Sequence, residues 1–445
     1  MKQIQFAGGV LALALTFGAG HANAANVTLN AGGASSAFSI YTQDFAAITA
    51  SKATNLFSYE AAGSGAGQKA FLLNNIGYFE PVSASNSIGY AAGTLTYGAI
   101  VGKEVDFGAS DAYLTPSQLT NAATGSYGTA TEGSAVDGPL IQLPALGVAT
   151  ALAYNLTTIT GNALKLTDAQ ICGVLSGKIT DWHSINSKIA KNTPISVVVR
   201  SDSAGTTFLL TQHLSAVCTS ANSSFPEYPV PVTKYFYNTA GSSSPVFPSG
   251  LPSNFIGESG NGGLAKQLVA TSNSIGYLSP DYTDIAPSSP NTTSLQVATV
   301  VNALNGKAYL PTIANTALGL NNPAPGSTNS NPPATLSAAH NPLNWVPVIS
   351  ETSEGYPLVG YTTIEASTCY ANSGHAKLLV TFLKDLLEKS GSFATITANS
   401  GFVPLQKTKS GVSYYAAVQD DFISNISGYN LNIGNATACA GYAGR

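Results

Sequence analysis

An arginine stands at the end of an apolar run, directly before a turn of small residues. The run is ISVVVR (195–200), and SDSAGTTFLL (201–210) follows it. The apolar, β-branched run predicts a buried strand, and the small residues before a new apolar stretch predict a turn that opens a helix. Unpaired N–H groups and the positive end of the helix dipole would then lie beside the Arg200 guanidinium. This combination is suited to binding an anion.

Two further strand-to-helix turns have the same character. NVTLN (26–30) runs into AGGASSAFSIY, and NLFSYE (55–60) runs into AAGSGAGQKAF. Hydroxyl groups at Ser35, Ser64 and Thr206 add hydrogen-bond donors to the three turns. A single small-residue turn is common between a strand and a helix and indicates little. Three of them in one chain, one with an arginine, favour a binding site.

A carboxylate follows a fourth predicted strand. VDFGASDAYL (105–114) places Asp111 immediately after the short strand. An aspartate in such a position commonly caps a helix or a turn. Beside an anion, it would instead accept a hydrogen bond from a protonated oxyanion and repel one that has no proton. The sequence leaves both roles open.

Strands that alternate with helices predict an α/β architecture, in which ligands bind at the carboxyl ends of the strands. A chain of 445 residues is long for a single core and suggests two domains. The stretch 314–342 is rich in Pro, Asn and Ser and predicts a surface insertion rather than a part of the core.

The N-terminus and the composition exclude several functions. Residues 1–24 have one early lysine residue, a short apolar region and an A-x-A site, and predict a secretory signal cleaved after Ala24; a retained anchor is the alternative. Charged residues make up 9% of the chain, against roughly 25% in ordinary domains, and the net charge is −4. There is no basic patch for nucleic acid or membrane. The scattered histidines and the cysteine spacing predict no metal site and no cofactor.

Taken in order, these motifs resemble the phosphate-binding protein of Pst-type ABC transporters, and more closely its DING-protein relatives. The resemblance extends from about residue 27 to about residue 391 and rests on AGGASSAFSIY, AAGSGAGQKAF, VDFGASDAYL, LTDAQICGVLSGKITDW, VVVRSDSAGTTFLLTQHLS, GNGGLAKQLVATSNSIGYLS, YPLVGYTTI and HAKLLVTFLKDLLEKSG. It implies an α/β, two-lobed periplasmic-binding-protein fold of type II, with mixed sheets flanked by helices and two crossover hinge strands.

The resemblance also implies a division of the chain. The crossover strands would lie in 140–156 and 356–364. Lobe I would combine 25–145 with 356–445, and lobe II would hold 146–355, including the insertion 314–342.

The same resemblance implies a site for inorganic phosphate. Its ligands would be Ser35, Ser36, Ser64, Asp111, Arg200, Ala204, Gly205 and Thr206. Ser35 would contribute its hydroxyl and Ser36 its backbone N–H. Asp111 would accept the phosphate proton, and Arg200 would bind two oxygens in a fork. Ala204 departs from the family pattern, which has a serine there; a backbone N–H remains, and the neighbouring Ser203 is a candidate to replace the lost hydroxyl.

An even number of cysteines in an exported protein suggests disulfides. The resemblance implies the pairs Cys172–Cys218 and Cys369–Cys439. Reduced cysteines or another pairing are the alternatives.

The sequence therefore predicts an exported, monomeric phosphate-binding protein, periplasmic or secreted, that delivers its ligand to the membrane permease of an ABC importer and is not an enzyme. One alternative is a DING-like secreted phosphatase that acts on phosphate monoesters. Another is a secreted surface or adhesion protein on the same scaffold. Phosphate, arsenate and phosphate esters all stay open as ligands.

Overall fold

The structure is a computed structural model, and it describes residues 27–51, 55–79, 87–91, 94–97, 104–124, 134–220, 224–239, 242–286, 295–387, 392–405 and 414–445. The signal peptide predicted at 1–24 lies outside these residues. Among the helices that the structure describes, none has the length and apolar character needed to cross a membrane.

The strands are β1 (Val27–Gly33), β2 (Asn55–Glu60), β3 (Ser87–Ala91), β4 (Thr94–Tyr97), β5 (Phe107–Ser110), β6 (Leu140–Ala149), β7 (Ala151–Asn155), β8 (Lys165–Leu166), β9 (Ser196–Arg200), β10 (Phe255–Glu258), β11 (Ser274–Leu278), β12 (Gln296–Val297), β13 (Thr299–Val301), β14 (Ala308–Tyr309), β15 (Val359–Ser367) and β16 (Val403–Pro404). The α-helices are α1 (Phe38–Ser51), α2 (Ser64–Leu72), α3 (Pro116–Thr124), α4 (Ser134–Asp137), α5 (Asp168–Leu175), α6 (Gly205–Val217), α7 (Gly260–Ala270), α8 (Ile313–Asn321), α9 (Leu336–Ala339), α10 (Ser373–Leu386), α11 (Ser392–Asn399) and α12 (Tyr414–Val418). Short 3-10 turns include Pro280–Tyr282 and Pro342–Trp345.

One mixed sheet gathers strands from both ends of the chain, in the order β16-β6-β15-β5-β1-β2-β3-β4. Strand β1 pairs in parallel with β2 and β5, and β15 pairs antiparallel with β5 and β6. A second sheet has the order β10-β9-β11-β7-β12, with β9 parallel to both β10 and β11. The prediction of an α/β fold with mixed sheets and flanking helices is confirmed.

The chain passes between the two sheets at two adjacent places. Strand β6 belongs to the first sheet and β7 to the second, and only Thr150 separates them. The returning segment lies beside it, because the Thr150 N–H donates to the Leu358 carbonyl at 2.9 Å and the Tyr356 hydroxyl donates to the Thr150 carbonyl at 2.9 Å. These crossings fall within the two predicted crossover segments. The division of the chain into lobes at 145 and 356 stays a prediction.

The segment 314–342 corrects one expectation. Helix α8 packs against β6 and β15 of the first sheet, and Leu320 is buried in the core. The Thr312 side chain caps this helix, and Ala339 in α9 is also buried. The Pro- and Asn-rich composition of the whole stretch predicted a surface insertion. Its first residues nevertheless belong to a short apolar helix, IANTALGLN.

Helix α10 follows the apolar spacing of its sequence. The residues predicted to face the core are all buried, namely Leu378, Leu379, Phe382, Leu383, Leu386 and Leu387. The Phe382 ring lies 5.2 Å from the Tyr41 ring and 5.4 Å from the Phe107 ring, so the helix packs on α1 and the first sheet. Gly391, predicted to end this helix, lies outside the described residues.

We expect Leu383→Ala to lower the free energy of unfolding by about 2–5 kcal/mol. Leu383 is 0% exposed, so truncation loses buried apolar surface and leaves a cavity. Denaturant unfolding measures this loss, with Lys384→Ala, an exposed neighbour on the same helix, as the control. A loss below about 1 kcal/mol at Leu383 would contradict the packing described.

Both disulfides implied by the resemblance are present. Cys172 bonds Cys218 and Cys369 bonds Cys439, at sequence separations of 46 and 70 residues. Closing a loop of the first size stabilises a fold by about 4 kcal/mol in the chain-entropy model. We therefore expect Cys172→Ser with Cys218→Ser to lower the unfolding free energy by about that amount. Non-reducing peptide mapping checks the pairing, and a Cys172–Cys369 link would overturn it.

Candidate anion-binding site

The two sheets bring their functional turns to facing edges. Parallel pairing sets Gly32 of β1 beside Glu60 of β2 and Gly108 of β5, so these strands end at one edge. In the second sheet, Arg200 of β9 is in register with Glu258 of β10. The turns that follow these five strands therefore meet between the sheets, as expected for ligand sites at the carboxyl ends of strands.

The turn after β1 requires a glycine. Gly33 has a φ of +133°, and a Cβ at this position would collide with the Ala109 carbonyl. The tight turn brings the following Ser35 and Ser36 close to the end of β5.

Arg200 is the centre of the site. Arg200 is 2% exposed, and its side chain contacts its own turn and two others. One terminal nitrogen donates to the Ser35 hydroxyl at 3.2 Å, and the other donates to Thr206 Oγ1 at 3.0 Å and Asn261 Oδ1 at 3.1 Å. The guanidinium is thus shared by α1, α6 and α7, and it links the two sheets.

Asp202 orients this arginine. Its carboxylate accepts from Arg200 Nε at 2.6 Å and from a terminal nitrogen at 2.5 Å. Burial disfavours the charged guanidinium, but the charge and hydrogen bonds of Asp202 outweigh it, and the pKa of Arg200 is raised. Asp202 also accepts from the Gly260 N–H at 3.0 Å at the start of α7. The arginine is therefore held charged and in one position.

Asp111 faces the same point from the first sheet. Its carboxylate accepts from the Ser36 hydroxyl at 2.8 Å and 2.9 Å and from the Thr362 hydroxyl at 2.6 Å. Burial raises the pKa of Asp111, while these hydrogen bonds and the Arg200 charge act in the opposite direction. The carboxylate caps no helix among the described residues, so the capping role left open by the sequence is not the observed one.

The starts of α2 and α6 touch across the two sheets. The Gly65 N–H donates to the Ser203 carbonyl at 2.9 Å. A Cβ at Gly205 would come within 2.5 Å of the Asp111 Cβ, and Ser64 Oγ accepts from the Asp111 N–H at 3.1 Å. Within the described part of the chain, no partner is found for the backbone N–H groups of Ser36, Ser64, Gly205 and Thr206. Four free N–H donors therefore belong to residues that lie against Arg200 or Asp111.

Two of the predicted ligands have protein neighbours that the sequence did not indicate. The Ala204 N–H donates to the Lys234 carbonyl at 2.9 Å, so it is already paired and is not free for a ligand. The Ser203 hydroxyl lies against Gly65 at the start of α2, and its role as a replacement for the missing serine hydroxyl stays a prediction. Its oxygen is buried without a hydrogen-bond partner among the described residues. Both residues contact segments that are distant in sequence, Lys234 for Ala204 and Gly65 for Ser203. Local spacing in the sequence does not reveal such contacts.

Three residues of this site were not singled out from the sequence. Asp202 and Asn261 contact Arg200, and Thr362 contacts Asp111. Asn261 is 0% exposed, and its Nδ2 has no partner among the described residues. It opens α7 directly after β10, so FIGESGNGG is a further strand-to-helix turn with small residues. That pattern was the available signal for Asn261.

A second buried network lies on the other side of α2. The Lys234 ammonium donates to Gln68 Oε1 at 2.5 Å, and Gln68 Nε2 lies 3.4 Å from Glu365 Oε1. Burial raises the pKa of Glu365 to about 8, although hydrogen bonds from Thr363 and Gln68 and the Lys234 charge oppose it. Burial likewise lowers the pKa of Lys234 to about 8. Lys234 belongs to a segment that follows α6, so the network joins the two sheets.

This network predicts a pH dependence of stability. The pKa of folded Glu365 is about 8, against about 4.3 in an unfolded chain. Between these two pH values the folded protein retains a proton that the unfolded chain has released. The unfolding free energy should therefore fall as the pH rises from about 4.5 to 8. The lowered pKa of Lys234 has the opposite effect, but only above about pH 8.

Glu365→Gln should flatten this decline. Denaturant unfolding between about pH 5 and 7.5 measures the slope of the unfolding free energy against pH. Glu354→Gln, at an exposed site, is the control. Equal slopes for the wild type and Glu365→Gln would contradict the assigned protonation of Glu365.

The site brings together the groups that bind small tetrahedral anions. It offers one fixed guanidinium, four free backbone donors and a carboxylate that can accept a proton. Among the described residues, no group of three or more His, Cys, Asp and Glu side chains is arranged to hold a metal ion.

The family model of the PBP superfamily domain matches residues 19–326. Alkaline phosphatase L of Pseudomonas aeruginosa is 31% identical over 387 residues, which cover 86% of each chain. A phosphate-binding protein from an unknown prokaryotic organism is 30% identical over 408 residues, 86% of this chain and 92% of that one.

The solved structures agree with these matches. The structure of a high-affinity periplasmic phosphate-binding protein, PfluDING, bound with phosphate, has a TM-score of 0.69 and 28% identity. The similarity covers 94% of this chain and 99% of that one. The two-lobed type II fold is therefore shared with a protein that binds phosphate.

Proposed function

The chain belongs to the PBP superfamily, and from that premise we propose that it is an exported protein that captures inorganic phosphate between its two lobes. The observation that carries this proposal is the surroundings of Arg200. A buried guanidinium contacts Ser35, Thr206 and Asn261 from separate turns, and the free N–H groups of neighbouring helix starts lie around it.

In the site, hydrogen bonds from fixed donors of the protein would replace those that phosphate makes with water. Arg200 would bind two of its oxygens, and the N–H groups at the starts of α1, α2 and α6 would bind the others. Asp111 would accept the hydrogen bond of the P–OH group. Since Arg200 is already paired with Asp202, the N–H dipoles would act together with the guanidinium in stabilising the anion.

Capture would require the two sheets to separate and close again. Contacts such as Gly65 N–H to the Ser203 carbonyl hold them together in the observed arrangement, and hinge closure around a ligand is a general mode of two-lobed binding proteins. The partner would be the membrane permease of an ABC-type uptake system. The protein itself would be a monomer in the periplasm or outside the cell.

A phosphatase is the second candidate. One relative is named alkaline phosphatase L, and the Ser36 hydroxyl donates to the Asp111 carboxylate. A hydroxyl beside a base is the arrangement of an activated nucleophile. Ser36 also follows Ser35, which contacts the Arg200 guanidinium, and a phosphoryl group would bind there.

Two measurements on the same ligand-stripped sample separate these candidates. Calorimetry with inorganic phosphate tests binding, and a chromogenic phosphate monoester tests turnover. We expect one phosphate site and no turnover. Turnover that is lost in Ser36→Ala would favour the phosphatase, and absence of phosphate binding would overturn the proposal.

A further inference from the structure

A groove lies beside the anion site, between elements of the two sheets. Its volume is about 720 Å³, within the range of roughly 300–1,000 Å³ that is typical of small-molecule sites. Ser35, Phe38 and Ala61 line it from the first sheet, and residues 258–263 of the β10–α7 turn line it from the second. Lys266, Gln267 and Tyr282 complete the wall.

The groove shares two wall residues with the anion site. Its inner end is formed by Ser35 and Asn261, which both contact the Arg200 guanidinium. Asn261 also has a buried Nδ2 without a partner among the described residues. An anion held by Arg200 would lie behind this wall, and a substituent on one of its oxygens would enter the groove past Ser35 and Asn261.

The chemistry of the walls suits a polar organic group. Phe38 and Tyr282, one from each sheet, offer apolar ring surface, and Gln267 and Ser259 offer hydrogen-bonding groups. Lys266 and Glu258 contribute one charge of each sign, so the groove does not select a second anionic group. Such a wall is suited to a small polyol or a similar alcohol.

We propose that the groove is a subsite for the alcohol portion of a phosphate monoester, and that the protein binds small monoesters as well as phosphate. This inference rests on the proposed function, because the phosphoryl group would occupy the same site beside Arg200. The ester oxygen would point towards Ser35 and Asn261, and a remaining P–OH group would donate to Asp111.

Calorimetry on ligand-stripped protein with inorganic phosphate and with glycerol 3-phosphate tests this inference. A pH of about 6 is used, because the second pKa of a phosphate monoester lies near that value and a P–OH proton is then available. We expect wild type to bind glycerol 3-phosphate within about a hundredfold of phosphate, a difference of about 2.7 kcal/mol or less.

Variants that fill the groove provide the specific readout. Gly262 is exposed, and a Cβ there would come no closer than 3.5 Å to another group, the Tyr282 hydroxyl. Gly262→Phe should weaken glycerol 3-phosphate at least tenfold and leave phosphate within threefold. Gln267→Trp, which does not replace a glycine, should do the same. Ser337→Phe, an exposed site on α9 outside the groove, is the control for an added ring.

The outcomes are distinguishable. If wild type binds phosphate but no glycerol 3-phosphate, the subsite is wrong and the proposed function stands. If it binds neither, the proposed function fails as well. Equal losses for both ligands in Gly262→Phe and Gln267→Trp would also overturn the subsite. Cleavage of the ester, seen by ³¹P NMR, would support the groove and would favour the phosphatase over simple binding.

Discussion

Replacing Arg200 with alanine is expected to weaken phosphate binding by two to four decades, on the order of 3–5 kcal/mol. The side chain is buried, and its donors are the only charged ones that we place at the proposed anion position. Without it, the anion would leave water for a site with dipoles alone. Asp202, which now pairs with Arg200, would in addition face the anion as an unpaired carboxylate. Calorimetry with phosphate measures the loss.

Arg200→Lys should recover only part of the affinity, because an ammonium cannot reproduce the two-pronged fork. The matched control is Arg445→Ala. Arg445 is also buried and paired with an aspartate, Asp137, at 3.1 Å, but none of its contacts involves the site. It should lower stability and leave phosphate affinity unchanged. If Arg200→Ala binds phosphate within threefold of wild type, the anion site lies elsewhere.

Asp111 is expected to make wild type bind phosphate at least a hundredfold more tightly than sulfate, a difference on the order of 3 kcal/mol. Near neutral pH phosphate retains a proton and sulfate has none. The Asp111 carboxylate accepts a hydrogen bond from the first anion and faces an oxygen of the second without a proton between them. A site with such unpaired polar groups can reject an analogue by up to ~10⁴-fold.

Asp111→Asn should therefore raise sulfate binding relative to phosphate, because an amide can donate to an oxygen that lacks a proton. Both anions are titrated into wild type and variant. Asp106→Asn is the matched control, since Asp106 is a buried carboxylate that precedes β5 while Asp111 follows it. An unchanged phosphate-to-sulfate ratio in Asp111→Asn would refute the selectivity role.

The sequence predicted the parts of the site that depend on local order. Strand, small-residue turn and helix follow one another at Ser35, Ser64 and Arg200 because apolar periodicity and turn chemistry are local properties. The apolar spacing of α10 and the meeting of strand ends at one edge were predictable for the same reason.

The remaining features depend on contacts between distant segments. The Ala204 N–H is taken by Lys234, thirty positions along the chain, and Thr362 reaches Asp111 from a strand near the other end of the chain. Ser203 turns towards Gly65 of the opposite sheet. No pattern within one stretch of sequence contains these pairings, and they appear only once the two sheets face each other.

The central claim is that one phosphate binds between the two sheets. Equilibrium dialysis of ligand-stripped wild type with radiolabelled phosphate, in the presence and absence of a hundredfold excess of sulfate, tests it most directly. The account predicts one phosphate per chain, with at least about half of it retained in the hundredfold excess of sulfate. No bound phosphate, or complete displacement by the hundredfold excess of sulfate, would contradict it.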